Sequence, residues 1–154
     1  MLCWPALYRH FVAGRSARLG RLLVYILVVE DDAEVATFLV LGLREAGHLV
    51  EYASNGVDGL SLATKKPFDV IILDRMLPGG TDGATILTTL RERGISTPAL
   101  FLSGLGELSD WVHGLQAGGD DYLVKPVSMG ELLSRIEALI QQKDKNGSEA
   151  AAAL

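Results

Sequence analysis

Three stretches of the chain are apolar almost without interruption: YILVVE (Tyr25–Glu30), DVIILD (Asp69–Asp74) and PALFLS (Pro98–Ser103). Runs this short and rich in β-branched residues predict strands buried on both faces (β1, β3 and β4). HLVEYA (His48–Ala53) alternates and predicts a more exposed strand, β2, while DYLVK (Asp121–Lys125) predicts a fifth, β5. Between them the apolar period changes to that of a helix. AEVATFLVLGLREAG (Ala33–Gly47) sets Val35, Phe38, Leu39 and Leu43 at helical spacing (α1), with Asp32 as its N-terminal cap and Gly47 as its left-handed stop. GVDGLSLATKK (Gly56–Lys66) predicts α2, and DGATILTTLRERG (Asp82–Gly94) predicts α3, ended by Gly94. ELSDWVHGLQAG (Glu107–Gly118) predicts α4, and SMGELLSRIEALIQQ (Ser128–Gln142) predicts α5, capped by Ser128. Strands alternating with helices at this spacing imply a parallel sheet covered by helices on both faces.

Composition narrows the class. The chain has 154 residues, 49% of them hydrophobic and 21% charged, which fits one globular domain. Its net charge of −5 argues against a nucleic-acid surface on this chain. The single cysteine, Cys3, has no partner for an internal disulfide or a zinc site and suits a reducing compartment. Residues 1–23 carry Arg9, Arg15, Arg18 and Arg21 and no acid, and their apolar runs are too short to span a membrane. We read them as an extension outside the fold; an organellar transit peptide has the same composition. Residues 24–141 hold the folded unit, and QQKDKNGSEAAAAL, closing the chain, reads from residue 142 as a flexible tail or the start of a linker.

Candidate chemistry lies at the strand ends. In an open parallel sheet, functional groups gather beyond the carboxyl ends of the strands. There β1 ends in Glu30 and Asp31, β3 in Asp74, β4 in Ser103, and β5 in Lys125 followed by Pro126. Carboxylates so close repel one another unless a cation compensates, and a hard ion such as Mg2+ prefers this kind of oxygen donor. Asp32, next to the acid pair, is accounted for by its cap.

The stretches ILVVEDD, DVIILDRMLPGGTDG, ALFLSG and AGGDDYLVKPVS closely resemble the receiver domain of bacterial two-component response regulators of the OmpR/PhoB type. The resemblance covers the chain from about Tyr25 to Ile140 and implies a flavodoxin-like (βα)5 sandwich, an α/β fold with a parallel sheet in strand order 2-1-3-4-5. It implies that Asp74 accepts a phosphoryl group from a phosphohistidine on a sensor histidine kinase. Asp31, Asp74 and the Met76 backbone carbonyl would hold Mg2+ directly, with Glu30 acting through a bound water. Lys125 would pair with Asp74 at rest and with a phosphoryl oxygen afterwards, Ser103 would donate to another, and the Lys125–Pro126 peptide would be cis. The backbone N–H groups of Ala84 and Gly104 are further candidate donors. The resemblance also implies a switch through Ser103 and Tyr122, and a dimer or partner surface on α4, β5 and α5 carrying Trp111, Asp121, Glu131 and Arg135. It implies a cytoplasmic protein with no direct nucleic-acid contact and no membrane, which regulates transcription through an effector domain.

Departures from the family pattern are local. Ser103 and Gly104 stand where threonine and alanine are common, Val127 follows Lys125–Pro126, and GGTDG is one residue longer than the usual turn. Trp111 and Gln116 replace charged members of the family's inter-subunit ion pairs. Three other functions compete. A dehalogenase-type enzyme also uses an Asp nucleophile, but needs an acid/base Asp where this chain has Met76. A stand-alone phosphorelay module and a docking module that is never phosphorylated share the fold, the latter expected to have lost its acids.

Overall fold

The computed structural model describes residues 23–104 and 118–152. Five strands form one sheet: β1 (Tyr25–Val29), β2 (Leu49–Ala53), β3 (Val70–Asp74), β4 (Ala99–Ser103) and β5 (Asp121–Val124), in the order 2-1-3-4-5. Every neighbouring pair is parallel, with Val29 opposite Ala53, Leu73 opposite Phe101 and Ser103 opposite Val124. The expected flavodoxin-like sandwich is therefore the observed one. Residues of β1, β3 and β4 are buried on both faces, whereas β2 alternates between buried and partly exposed positions.

Because side chains alternate along a strand, each central strand feeds two cores. Ile26, Val28, Val70, Ile72, Leu100 and Leu102 face α1 (Ala33–Glu45) and α5 (Met129–Ala152) through Leu39, Leu43, Leu132 and Ile136. Tyr25, Leu27, Val29, Ile71, Leu73 and Phe101 face α2 (Gly56–Lys65) and α3 (Gly83–Glu92) through Ala63, Ile86, Leu87 and Leu90. Helix α4, expected over residues 107–118, lies outside the described residues apart from its last position, and Trp111 lies there with it.

The helix ends follow their capping residues. Asp32 accepts the N–H groups of Glu34 and Val35, and Ser128 accepts that of Glu131. Gly47 and Gly94 take φ of 93° and 77° where α1 and α3 stop. Two expectations differ in detail. Phe38, placed by its spacing on the apolar face of α1, is 49% exposed, because Ala36, Leu39 and Leu43 already fill that face. Helix α5 runs past Gln142 to Ala152, since the alanines near its end favour helix more than the polar residues before them oppose it.

Two glycines separate packing from propensity. A Cβ on Gly56 would stand 1.9 Å from the Thr81 carbonyl oxygen, whereas one on Gly147 would meet nothing within 4 Å. We expect Gly56→Ala to destabilise the protein by about 1–3 kcal/mol, as overpacking does. Gly147→Ala should instead add up to about 1 kcal/mol of helix stability. Urea unfolding followed by circular dichroism checks both signs.

Candidate functional site

The parallel order brings the ends of β1, β3, β4 and β5 to one rim, and their terminal side chains meet there. Glu30 is 1% exposed, and Asp74, which closes β3, is 5% exposed. Lys125 Nζ lies 2.9 Å from Glu30 Oε2 and 3.3 Å from Asp74 Oδ2. One ammonium thus serves two buried carboxylates. Asp31 is exposed at the mouth, and carboxylate oxygens of Glu30, Asp31 and Asp74 lie within 4.8 Å of one another. A set of oxygen donors that close, with one member open to solvent, fits a hard divalent cation.

Backbone and side-chain hydrogen bonds hold these groups in place. Glu30 Oε1 accepts the N–H of Asp32 at 3.1 Å, and the Tyr52 hydroxyl donates to the Glu30 carbonyl at 2.7 Å. Asp74 Oδ1 accepts the N–H of Met76 at 3.1 Å, and the Arg75 N–H extends the β3–β4 ladder by donating to Leu102 O at 2.8 Å. Gly83, the first residue of α3, comes so close to the Asp74 carbonyl oxygen that a Cβ would be 2.4 Å from it. Ser103 is buried at the end of β4, and its carbonyl accepts the N–H of Lys125 at 2.6 Å. The Lys125–Pro126 peptide is cis.

The charges perturb one another as their burial requires. Desolvation, with the neighbouring Glu30, pushes the Asp74 carboxyl up to about 6, against the opposing pull of the Met76 N–H and Lys125. Desolvation lowers the pKa of Lys125, but Glu30 and Asp74 outweigh it and hold the ammonium above its usual range. The Tyr52 phenol is raised by burial and by the negative charge of Glu30, Asp31 and Asp32.

Most of the residues singled out in the sequence come together: Glu30, Asp31, Asp74, Ser103 and Lys125 share the rim, and the half-exposed Met76 follows Asp74. Tyr122 is partly buried with its ring 6.5 Å from that of Phe101, and its buried hydroxyl has no hydrogen-bond partner among the described residues. Asp121 and Arg135 pair within the chain at 3.1 Å, with Glu131 3.8 Å from Arg135 on its other side. Three features escaped the sequence reading. The Glu30–Lys125 pair did, because Asp74 alone was expected to hold the lysine. So did the Tyr52 phenol, and a buried Arg75 that pairs with Asp82 at 3.0 Å. Only the last had a signal, an arginine set inside the apolar stretch LDRML with an aspartate seven residues on. Beside the acids, Val35, Phe38, Leu39, Leu102, Pro126 and Val127 line an apolar groove that reaches Lys125.

Comparison with known proteins gives a consistent picture. Residues 26–137 match the response regulator receiver domain. The probable transcriptional regulatory protein SilR of Salmonella typhimurium is 44% identical over 117 residues, 76% of this chain and 51% of its own length. The transcriptional regulatory protein CusR of Escherichia coli K12 is 43% identical over 117 residues, again 76% of this chain and 51% of its own. The chain therefore spans about half the length of the curated relatives it matches. The solved receiver domain of the Francisella response regulator 1452 superposes with a TM-score of 0.72 at 36% identity, over 78% of this chain and 98% of that one. Among the described residues, no helix is long and apolar enough to cross a membrane.

The raised Asp74 carboxyl has a consequence for stability. The fold favours its protonated form, so its contribution is fully present below about pH 4, the ordinary carboxylate range, and is lost as the pH rises through about 6. In metal-free buffer, Asp74→Asn should therefore be the more stable protein at pH 7.5, by on the order of 2 kcal/mol. The advantage should shrink towards pH 4, as thermal unfolding across that range will show.

Proposed function

The chain belongs to the response regulator receiver domain family, among relatives of the OmpR/PhoB type that are transcriptional regulators, and from that footing we propose that Asp74 is its phosphoacceptor. An Asp74 oxygen attacks the phosphorus of a phosphohistidine on a sensor kinase. The P–N bond breaks, and its electron pair leaves with the imidazole. The convergence of Glu30, Asp31 and Asp74 around Lys125 carries this reading.

Phosphoryl transfer asks a protein for in-line positioning and for neutralisation of spread negative charge. Glu30, Asp31, Asp74 and the Met76 carbonyl would hold Mg2+, Glu30 through a water, and the bound ion would supply charge neutralisation at the phosphoryl oxygens. Asp74 is held for attack by the Met76 N–H. Lys125 already touches Asp74, so a short movement carries its ammonium to a phosphoryl oxygen. The Ser103 hydroxyl donates to another. The apolar groove beside Lys125, edged by half-exposed Phe38, favours a helix of a protein donor as the occupant next to the acids.

Phosphorylation replaces the single charge of the Asp74 carboxylate with a phosphoryl group carrying about two, a net gain of about one negative charge placed farther out, enough to bias a two-state element. That element is Ser103 with Tyr122, whose buried hydroxyl has no hydrogen-bond partner among the described residues and whose ring packs near Phe101. The readout surface comprises α4, β5 and α5. On it Asp121, Glu131 and Arg135 exchange their contacts within the chain for contacts with a second copy or a partner. The output we assign to it is transcriptional regulation in the cytoplasm, the role that the relatives' names carry.

Intact-mass measurement after incubation with Mg2+ and acetyl phosphate tests the assignment. We expect one phosphoryl adduct, absent from Asp74→Asn and absent when Mg2+ is chelated. A folded protein that gains no adduct would instead be a docking module that is never phosphorylated.

A further inference from the structure

The segment joining β3 to α3 contains a charge pair that the phosphoryl chemistry does not use. Arg75, the residue after Asp74, is 8% exposed, and its Nη1 lies 3.0 Å from Asp82 Oδ2. Its buried Nε has no hydrogen-bond partner among the described residues. The other oxygen of the same carboxylate caps α3, Oδ1 accepting the Thr85 N–H at 2.8 Å. The two oxygens of Asp82 thus do separate work: one starts the helix and the other holds the guanidinium.

Between the partners lie residues 76–81, which include Gly79 and Gly80 at φ of 84° and 78°. Two successive glycines in the left-handed region leave that stretch little stiffness of its own. Its position is fixed from outside. Leu77 is buried in the core, the Thr81 carbonyl abuts Gly56, and the ends are tied by Arg75 and Asp82. Met76 stands immediately beside the arginine, and its carbonyl is the donor the receiver reading assigns to the metal. A nearly buried guanidinium is stable there only while paired. Loss of either charge forces the segment to rearrange at the point where that carbonyl must be aimed.

We propose that the Arg75–Asp82 pair is a clamp on the β3–α3 loop that aims the Met76 carbonyl and so sets divalent-cation affinity and the phosphorylation rate. The proposal rests on the receiver reading. Arg75 and Asp82 are positioning residues, since neither touches the reacting atoms.

The test uses the full chain and the variants Asp82→Asn and Arg75→Lys. Asparagine keeps a side-chain oxygen to cap α3 and removes only the charge, while lysine keeps the charge and loses the fork. Calorimetric Mg2+ titration, phosphorylation rates at varied acetyl phosphate, and thermal unfolding are read together. Asp82→Asn should bind Mg2+ about tenfold more weakly, the scale seen when groups that orient metal ligands are removed. Its saturating phosphorylation rate should fall with little change in half-saturation, and its unfolding temperature should fall as the guanidinium loses its charged partner. Arg75→Lys should fall between the two. Mg2+ affinity within twofold of the parent in Asp82→Asn would overturn the clamp, whether or not stability changes. A parent chain that neither binds Mg2+ nor accepts a phosphoryl group would overturn the receiver reading itself, a separate failure visible before any variant is compared.

Discussion

One ammonium group holds the rim of this protein together. Lys125 reaches Glu30 and Asp74, two carboxylates that are almost wholly buried and that repel each other. Burial makes each of those charges costly, and a single lysine cannot fully compensate both. The remaining imbalance appears at Asp74, whose carboxyl is pushed up to about 6. A site left short of positive charge favours a divalent cation. It also favours a change at Asp74 that alters which oxygens the lysine serves. On our reading, metal affinity, phosphoryl acceptance and switching all arise from that shortage.

The rest of the fold fixes where the shortage occurs. Two cores, one on each face of the sheet, lock the register of β1, β3 and β4, whose ends are staggered by one residue from strand to strand, Val29 lying opposite Leu73 and Asp74 opposite Leu102. Close backbone approaches do the finer placement. Gly83 lets α3 begin against the Asp74 carbonyl, and Gly56 lets the start of α2 meet Thr81. Tyr52 on the edge strand ties down the end of β1 through the Glu30 carbonyl. These contacts leave Asp74 little freedom, which suits a nucleophile whose attack must be in line.

The strands and most helices were legible because apolar runs and capping residues are local signals. YILVVE and DVIILD admit few readings, and Asp32, Gly47, Gly94 and Ser128 mark their boundaries unaided. The acids and the lysine were legible as a group, since the alternation of elements already brings strand ends together. What stayed hidden depends on distance rather than pattern. Nothing in the order of residues says that Lys125 lies nearer Glu30 than Asp74. Nor does it say that Asp121 pairs with Arg135 inside the chain, or that Phe38 is left half exposed by smaller neighbours. The reach of α5 to Ala152 was misread because its polar residues resemble a linker, although they are compatible with a solvated helix.

The most direct measurement of the central claim is the titration of the Asp74 side-chain carboxyl, followed by its carbon chemical shift in the metal-free full chain. The account predicts a midpoint near 6, moving to lower pH when Mg2+ is added. An ordinary midpoint near pH 4, unmoved by Mg2+, would contradict it.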